Sequence, residues 1–186
     1  VSAAAPDLDE VLRLPSREVA QIGADWHFLG GPNVRHFGAE FAAAFGADYA
    51  IPISNCTSGL SVALAAARVG PGDEVIVPPL TFASTGYTVF MVGATPVFAD
   101  VDDDTITLDS ARVVEATTER PRAIVPVHWC GHPADMNAIM DHADRNDIAV
   151  IEDCAHAYGS RYQDRGIGTI GAMSCWSLQQ SKVLTA

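Results

Sequence analysis

Lys182 is the only lysine in this 186-residue chain, whose other fixed positive charges are arginines. It stands in "WSLQQSKVLTA", behind Ser177, Gln179 and Gln180. A primary amine can condense with an aldehyde; a lone lysine also reads as a solvated surface charge. Other segments carry groups of complementary chemistry. "SNCTSG" sets Asn55, Cys56, Thr57 and Ser58 at the start of an alanine-rich helical run, and "VIEDCAH" sets Asp153 and His156 behind an apolar run. Each has a plain alternative. Asn55, Thr57 and Ser58 are good helix caps, although free amides with small hydroxyls at a helix start also hold a phosphate. Phe82 reads as core or as a ring-facing aromatic, and His156 as a structural histidine or a ligand contact. Asp153 either caps a turn or, after Ile148–Ile151, needs a cation or several donors. Together they describe a holder for an anionic, planar group with an aldehyde and a protonated ring nitrogen. Pyridoxal 5′-phosphate is that group.

Segments rich in valine and isoleucine ("EVIVPPL", "TPVFADVD", "RAIVPVHWC", "IAVIED", "AMSCWSL") alternate with helical stretches of ten to thirteen residues. This pattern predicts an α/β, three-layer fold: a mostly parallel sheet with helices on both faces. "YAIPIS" reads as a further short strand. "VRHFGAEFAAAFG" reads as a helix with Val34, Phe37, Phe41 and Phe45 on one side, ended by Gly46, and the helix of "SGLSVALAAARVG" is read as stopping at Gly70. Residues 1–35 read as an N-terminal arm and 36–186 as one domain. In an open parallel sheet, ligands bind where the strands' carboxyl ends meet their loops. Asn55–Gly59, Thr81-Phe82, His128, Asp153–His156 and Ser177–Lys182 all follow predicted strands.

The net charge of −12 and pI near 4.6 argue against nucleic acid and against an anionic membrane surface. "VSAAAPDLDEVL" lacks the basic start and apolar run of a signal peptide, and no segment has the length of a membrane helix. Cys56, Cys130, Cys154 and Cys175 show no C-x-x-C spacing, so reduced thiols in a cytoplasm are expected. Three motifs are decoys. "GIGTIG" has dinucleotide-loop spacing but is followed by a strand-like segment and too little chain. "DVDDDTITLD" has Thr105 where a calcium loop needs glycine and reads as a surface turn. His128 and His132 are four apart, yet Pro126, Gly131 and Pro133 exclude the helix that would make them a metal pair, so no metal is expected.

The segments "GGPNVRHFGAEFAAAFGADYAIPISNCTSGLSVAL", "GPGDEVIVPPLTFASTGYTVFMVGATPVFADVD", "PVHWCGHPADM", "VIEDCAHAYGS" and "SLQQSKVLTA" resemble the DegT/DnrJ/StrS sugar aminotransferases, from about Phe28 to Ala186. The ending looks most similar to the scyllo-inosose aminotransferase and 3-amino-5-hydroxybenzoate synthase branch. The resemblance implies the large domain of a fold-type-I pyridoxal-phosphate transferase. Lys182 would hold the cofactor as a Schiff base and shuttle a proton, and Asp153 would pair with the ring nitrogen. Phe82 would stack on the ring, Thr57, Ser58 and Ser177 would hold the phosphate, and His156 would lie near the ring hydroxyl. It further implies transfer of an amino group from glutamine or glutamate to a keto-sugar or keto-cyclitol in antibiotic-type secondary metabolism, by a cytoplasmic homodimer. Cys154 departs from the commoner alanine. Such enzymes are about twice this length, so the expectation is a fragment without the small C-terminal domain. A truncated, non-catalytic cofactor-binding subunit is one alternative. A sugar dehydratase of the same family is another, and there histidine replaces the lysine.

Overall fold

The computed structural model describes residues 31–184. Helix α1 (Pro32–Phe45) opens on proline, whose missing N–H would have no helical acceptor there, and closes at Gly46. Its aromatic stripe is real: Phe41 and Phe45 lie 4.4 Å apart, and Phe45 meets Trp176 at 4.6 Å. Trp176 in turn packs on Tyr158 at 5.1 Å, which ties α1 to the segment carrying Ser177.

Tyr49–Ser54 is not the strand its alternation suggested. Pro52 has no N–H for a ladder, and Tyr49 and Ile51 are exposed instead of packed on the sheet. The segment crosses α1 so closely that a Cβ on Gly38 would meet the Ala50 carbonyl oxygen at 2.6 Å. Helix α2 (Cys56–Ala66) starts where expected, because Asn55 Oδ1 accepts from the Ser58 amide at 2.8 Å. It ends before Gly70: Arg68 takes the left-handed turn, with φ of 61°.

The remaining elements are β1 (Glu74–Val77), α3 (Ser84–Met91), β2 (Thr95–Phe98), α4 (Ser110–Ala116), β3 (Pro121–Ile124), α5 (Met136–Asn146), β4 (Ala149–Asp153), β5 (Arg161–Tyr162), β6 (Arg165–Gly166) and β7 (Met173–Cys175). Five strands form one sheet in the order β2-β1-β3-β4-β7, with every neighbouring pair parallel. The β5–β6 hairpin stands apart; strands of two residues are too short to show a period.

Side chains alternate across the sheet and build two cores. Ile76, Ile124 and Val150 pack with Val113 of α4 and with Met136, Ile139 and Ala143 of α5. Val75, Val77, Ala123 and Ile151 pack with Leu60, Ala63 and Leu64 of α2 and Val89 of α3. The same alternation divides two adjacent acids. Asp153 continues the Ile151 row toward α2 and α3, and Glu152 continues the Val150 row toward the other layer.

Glu152 has no exposed surface, yet it is fully engaged. Its Oε1 accepts from the Ile170 and Gly171 amides, both at 2.7 Å, and its Oε2 from the Gly168 amide at 2.9 Å. His128 Nδ1 accepts from the Ala134 amide at 3.1 Å, so Nε2 carries the hydrogen and donates to Oε2 at 3.1 Å. "GIGTIG" is therefore an anion cradle, and its anion is the protein's own. Gly168 holds φ of 88°, and a Cβ on Gly171 would sit 2.6 Å from the Val150 carbonyl oxygen, so both positions need glycine. The acidic run is the expected surface turn, with Asp102 Oδ1 accepting from the Thr105 amide at 2.9 Å.

Burial alone would raise the Glu152 pKa, but the His128 bond and the Gly171 and Gly168 amides outweigh it and hold it below its ordinary value. A lowered carboxylate contributes stability above its unfolded pKa and loses it as pH falls through the native one. Glu152→Gln should destabilise the full-length protein by about 3 kcal/mol in urea unfolding at neutral pH, with the deficit shrinking in acid. A loss below about 0.5 kcal/mol would contradict the cradle.

Candidate active site

The chain steps from β1 outward to β2 and then returns to β3 on the other side of β1. Crossovers reverse at that point, and loops at the carboxyl ends of the strands diverge there to leave a crevice. The turn after β1 carries Thr81 and Phe82 into α3, and β4 ends on Asp153 beside it.

Asp153 is 4% exposed. Its Oδ2 accepts from Thr85 Oγ1 at 2.9 Å and its Oδ1 from the Ala155 amide at 3.2 Å. Burial pushes its pKa up; the Ala155 amide, the Thr85 hydroxyl and the nearby His128 and His156 offset this only in part. Among the described residues no lysine or arginine pairs with it. One donor per oxygen leaves acceptor capacity on a buried anion, which suits a cationic N–H supplied by a ligand.

Lys182 Nζ lies 2.8 Å from His156 Nε2. With the lysine donating, His156 carries its hydrogen on Nδ1. Burial, then the Lys182 charge, lowers the His156 pKa against the opposing pull of Asp153, which favours the neutral ring that can accept. The Trp129 ring stands edge-on to His156 at 5.6 Å. Lys182 is half-buried at the rim, and its own amide donates to the Gln179 carbonyl at 2.8 Å.

Thr57 and Ser58 lie half-buried in the first turn of α2. Asn55 takes the Ser58 amide, while the amides of Cys56 and Thr57 ahead of it have no acceptor within the helix. Cys56 ties this turn to the rest of the site: burial, then the charge of Asp153, drive its thiol pKa well up, and Lys182 pulls it partly back. Ser177 is buried, with its carbonyl accepting from Tyr158 OH at 2.6 Å. Phe82 is 72% exposed and offers an open ring face at the turn into α3.

The structure thus brings Asp153, His156 and Lys182 together beside the α2 N-terminus. A buried carboxylate for a ring nitrogen, an amine for an aldehyde, and free amides with hydroxyls for a phosphate match the donor set that pyridoxal 5′-phosphate requires. His128 is not part of it, since it lies on the opposite face with Glu152. His128, Glu152 and Cys154 place possible ligand atoms within 4.8 Å of one another, but the His128 nitrogens and Glu152 oxygens are already committed to hydrogen bonds. Sequence reasoning missed Thr85 and Tyr158. The only signal for Thr85 was a hydroxyl four residues after Thr81, in a helix that also carries Ser84 and Thr88.

The profile of the DegT/DnrJ/EryC1/StrS aminotransferase family matches residues 15–186. The L-glutamine:2-deoxy-scyllo-inosose aminotransferase of Micromonospora echinospora is 48% identical over 152 residues, covering 82% of this chain and 36% of its own. The spore coat polysaccharide biosynthesis protein SpsC of Bacillus subtilis is 46% identical over 154 residues, covering 83% of this chain and 40% of its own. The crystal structure of 3-amino-5-hydroxybenzoic acid synthase superposes with a TM-score of 0.87 at 37% identity, over 100% of this chain and 48% of that one. The chain therefore spans less than half the length of these relatives. It belongs to the DegT/DnrJ/EryC1/StrS aminotransferase family, whose solved members include a pyridoxal-phosphate form.

Proposed function

We propose that this chain is the cofactor-binding part of an aminotransferase that moves an amino group from glutamine or glutamate to a keto-sugar or keto-cyclitol in secondary metabolism. The observation that carries the reading is a buried Asp153 with acceptor capacity to spare, on the same rim as the one lysine of the chain. Relatives named for a cyclitol and for nucleotide-sugar amination support the acceptor class. Pyridoxal 5′-phosphate, when bound, supplies an aldehyde for the lysine and a ring that takes up the electron pair left when a substrate carbon loses its proton.

The chain's own residues do the rest. Asp153 holds a proton on the ring nitrogen, because a buried carboxylate stabilises a cation that water would not keep charged at neutral pH. Lys182 Nζ takes the proton from the substrate carbon and returns it. His156 Nε2, as an acceptor, keeps that amine aimed into the site. Thr57, Ser58 and Ser177, with the first amides of α2, hold the phosphate, and Phe82 covers a ring face. Lys182 also disfavours the dehydratase reading, in which histidine stands at that position.

A homodimer is part of the proposal. Tyr87, Phe90 and Met91 on α3, with the neighbouring Phe98 of β2, are 55–62% exposed, an apolar face suited to a second copy. The N-terminal arm expected over residues 1–35 lies, up to residue 30, outside the described residues. A cytoplasmic setting is proposed too, supported by four unbridged cysteines.

Four outcomes are expected for the full-length protein. Lys182→Ala should fold and lose the visible absorbance of covalently held cofactor, and turnover retained in that variant would refute the mechanism. Asp153→Asn should lose about 3 kcal/mol or more of transition-state stabilisation, over 100-fold in rate. The same variant should be more thermally stable than the parent without cofactor. A carboxylate with a raised native pKa contributes stability below its unfolded value and loses it as pH rises through the native one, and asparagine removes that loss. Asp153→Asn activity within about threefold of the parent contradicts the assignment. Sedimentation should give a dimer; a monomer fully active at nanomolar concentration would remove the second copy from the proposal.

A further inference from the structure

Two hydroxyls, one buried and one half-buried, stand behind the residues assigned to the cofactor. Thr85 has no exposed surface, and its Oγ1 donates to Asp153 Oδ2 at 2.9 Å. A helical threonine usually returns its hydroxyl to a backbone carbonyl of the preceding turn, as Thr88 does to the Thr85 carbonyl at 3.2 Å. Thr85 instead sends its only hydrogen across to the sheet. Thr81, four residues earlier, places its own Oγ1 3.2 Å from Thr85 Oγ1. An ionised carboxylate only accepts, so Thr85 must donate to Asp153 and Thr81 must donate to Thr85. The direction of both bonds is set by the anion.

We propose that Thr81 and Thr85 form a one-way hydroxyl relay that fixes the rotation of the Asp153 carboxyl and stabilises its anion, so that the remaining acceptor capacity stays aligned with the cofactor's ring nitrogen. The inference rests on the cofactor reading above. Thr85 is a positioning residue, since it acts through Asp153. A valine at 85 would fill the same space and suit the surrounding core, which holds Val75 and Val89. The hydroxyl is there for the carboxylate, and the carboxylate has no other side-chain donor among the hydrogen bonds of the described residues. The relay also begins on the turn that carries Phe82, so the ring-covering residue and the ring-nitrogen partner are joined through one pair of hydroxyls.

The titratable groups around Asp153 are Cys56 from α2, His128 after β3, Cys154 and His156 after β4, Cys175 of β7 and Lys182 beyond it. Neither threonine titrates. Removing a hydroxyl therefore changes the Asp153 titration through hydrogen bonding and leaves the surrounding charges in place.

The test uses the full-length protein and carbon-13 carboxylate NMR of Asp153 without cofactor. Thr85→Val, isosteric but without the hydroxyl, should move the Asp153 midpoint up by about one pH unit. Thr81→Val should move it the same way by less, and Thr85→Ser should restore it. Pyridoxal 5′-phosphate should bind Thr85→Val about tenfold more weakly, with kcat reduced and the KM for the amino donor unchanged. A Thr85→Val protein that titrates and binds like the parent overturns the relay, as does a Thr85→Ser protein that fails to restore the midpoint. If Thr85→Val does not fold, Thr81→Val decides: an unshifted midpoint overturns the proposal. A parent that binds no cofactor would instead refute the aminotransferase reading, and the Asp153 midpoints would still judge the relay.

Discussion

A carboxylate buried at the end of a parallel strand, with no lysine or arginine paired to it among the described residues, is the constraint around which this structure is arranged. Taking an ion out of water costs several kcal/mol even after relaxation. Asp153 recovers part of that from Thr85 and the Ala155 amide, and the rest is left open. Its placement follows from strand geometry. The alternation that sends Ile151 toward α2 and α3 sends Asp153 the same way, to the side where α2 presents its first turn and α3 its threonines. β3 separates β1 from β4 in the sheet, and Thr85 of α3 reaches across to the end of β4. Lys182 arrives from the segment beyond β7, where Tyr158 grips the Ser177 carbonyl and Trp176 locks into the aromatic cluster of α1.

Glu152 is the control that the molecule itself provides. It is the same kind of group, one residue away, equally buried and on the opposite face. Three amides and a histidine N–H saturate it, and its pKa falls, while that of Asp153 rises. Burial acts on both in the same direction; the number of donors decides the sign. A carboxylate with all its donors holds a loop to a sheet. One that lacks them is suited to hold a ligand.

Much of this was legible in the sequence. The alternation of valine-rich runs with helices predicted the layers, and the polar groups after each run predicted the rim. Asn55 signalled its helix start as a side-chain cap. The resemblance to sugar aminotransferases, carried by "VIEDCAHAYGS" and "SLQQSKVLTA", is confirmed by the family match. What was not legible depended on pairing partners that spacing cannot reveal. "YAIPIS" alternates like a strand but has no neighbour to pair with, and Pro52 weakens any ladder. "GIGTIG" looked like an empty decoy because its anion lies sixteen residues upstream of Gly168. Thr85 is 68 residues from Asp153 and looked like one more hydroxyl in a helix. His128 read as a rim residue, because a continuously apolar strand does not declare which face each position takes.

The central claim is that Asp153 needs a cation and that the ring nitrogen supplies it. Nitrogen-15 NMR of ring-labelled pyridoxal 5′-phosphate bound to the full-length protein measures that directly. The account predicts a nitrogen that stays protonated at and above neutral pH, and that loses its proton in Asp153→Asn. A bound cofactor whose ring nitrogen is unprotonated at neutral pH in the parent would contradict it.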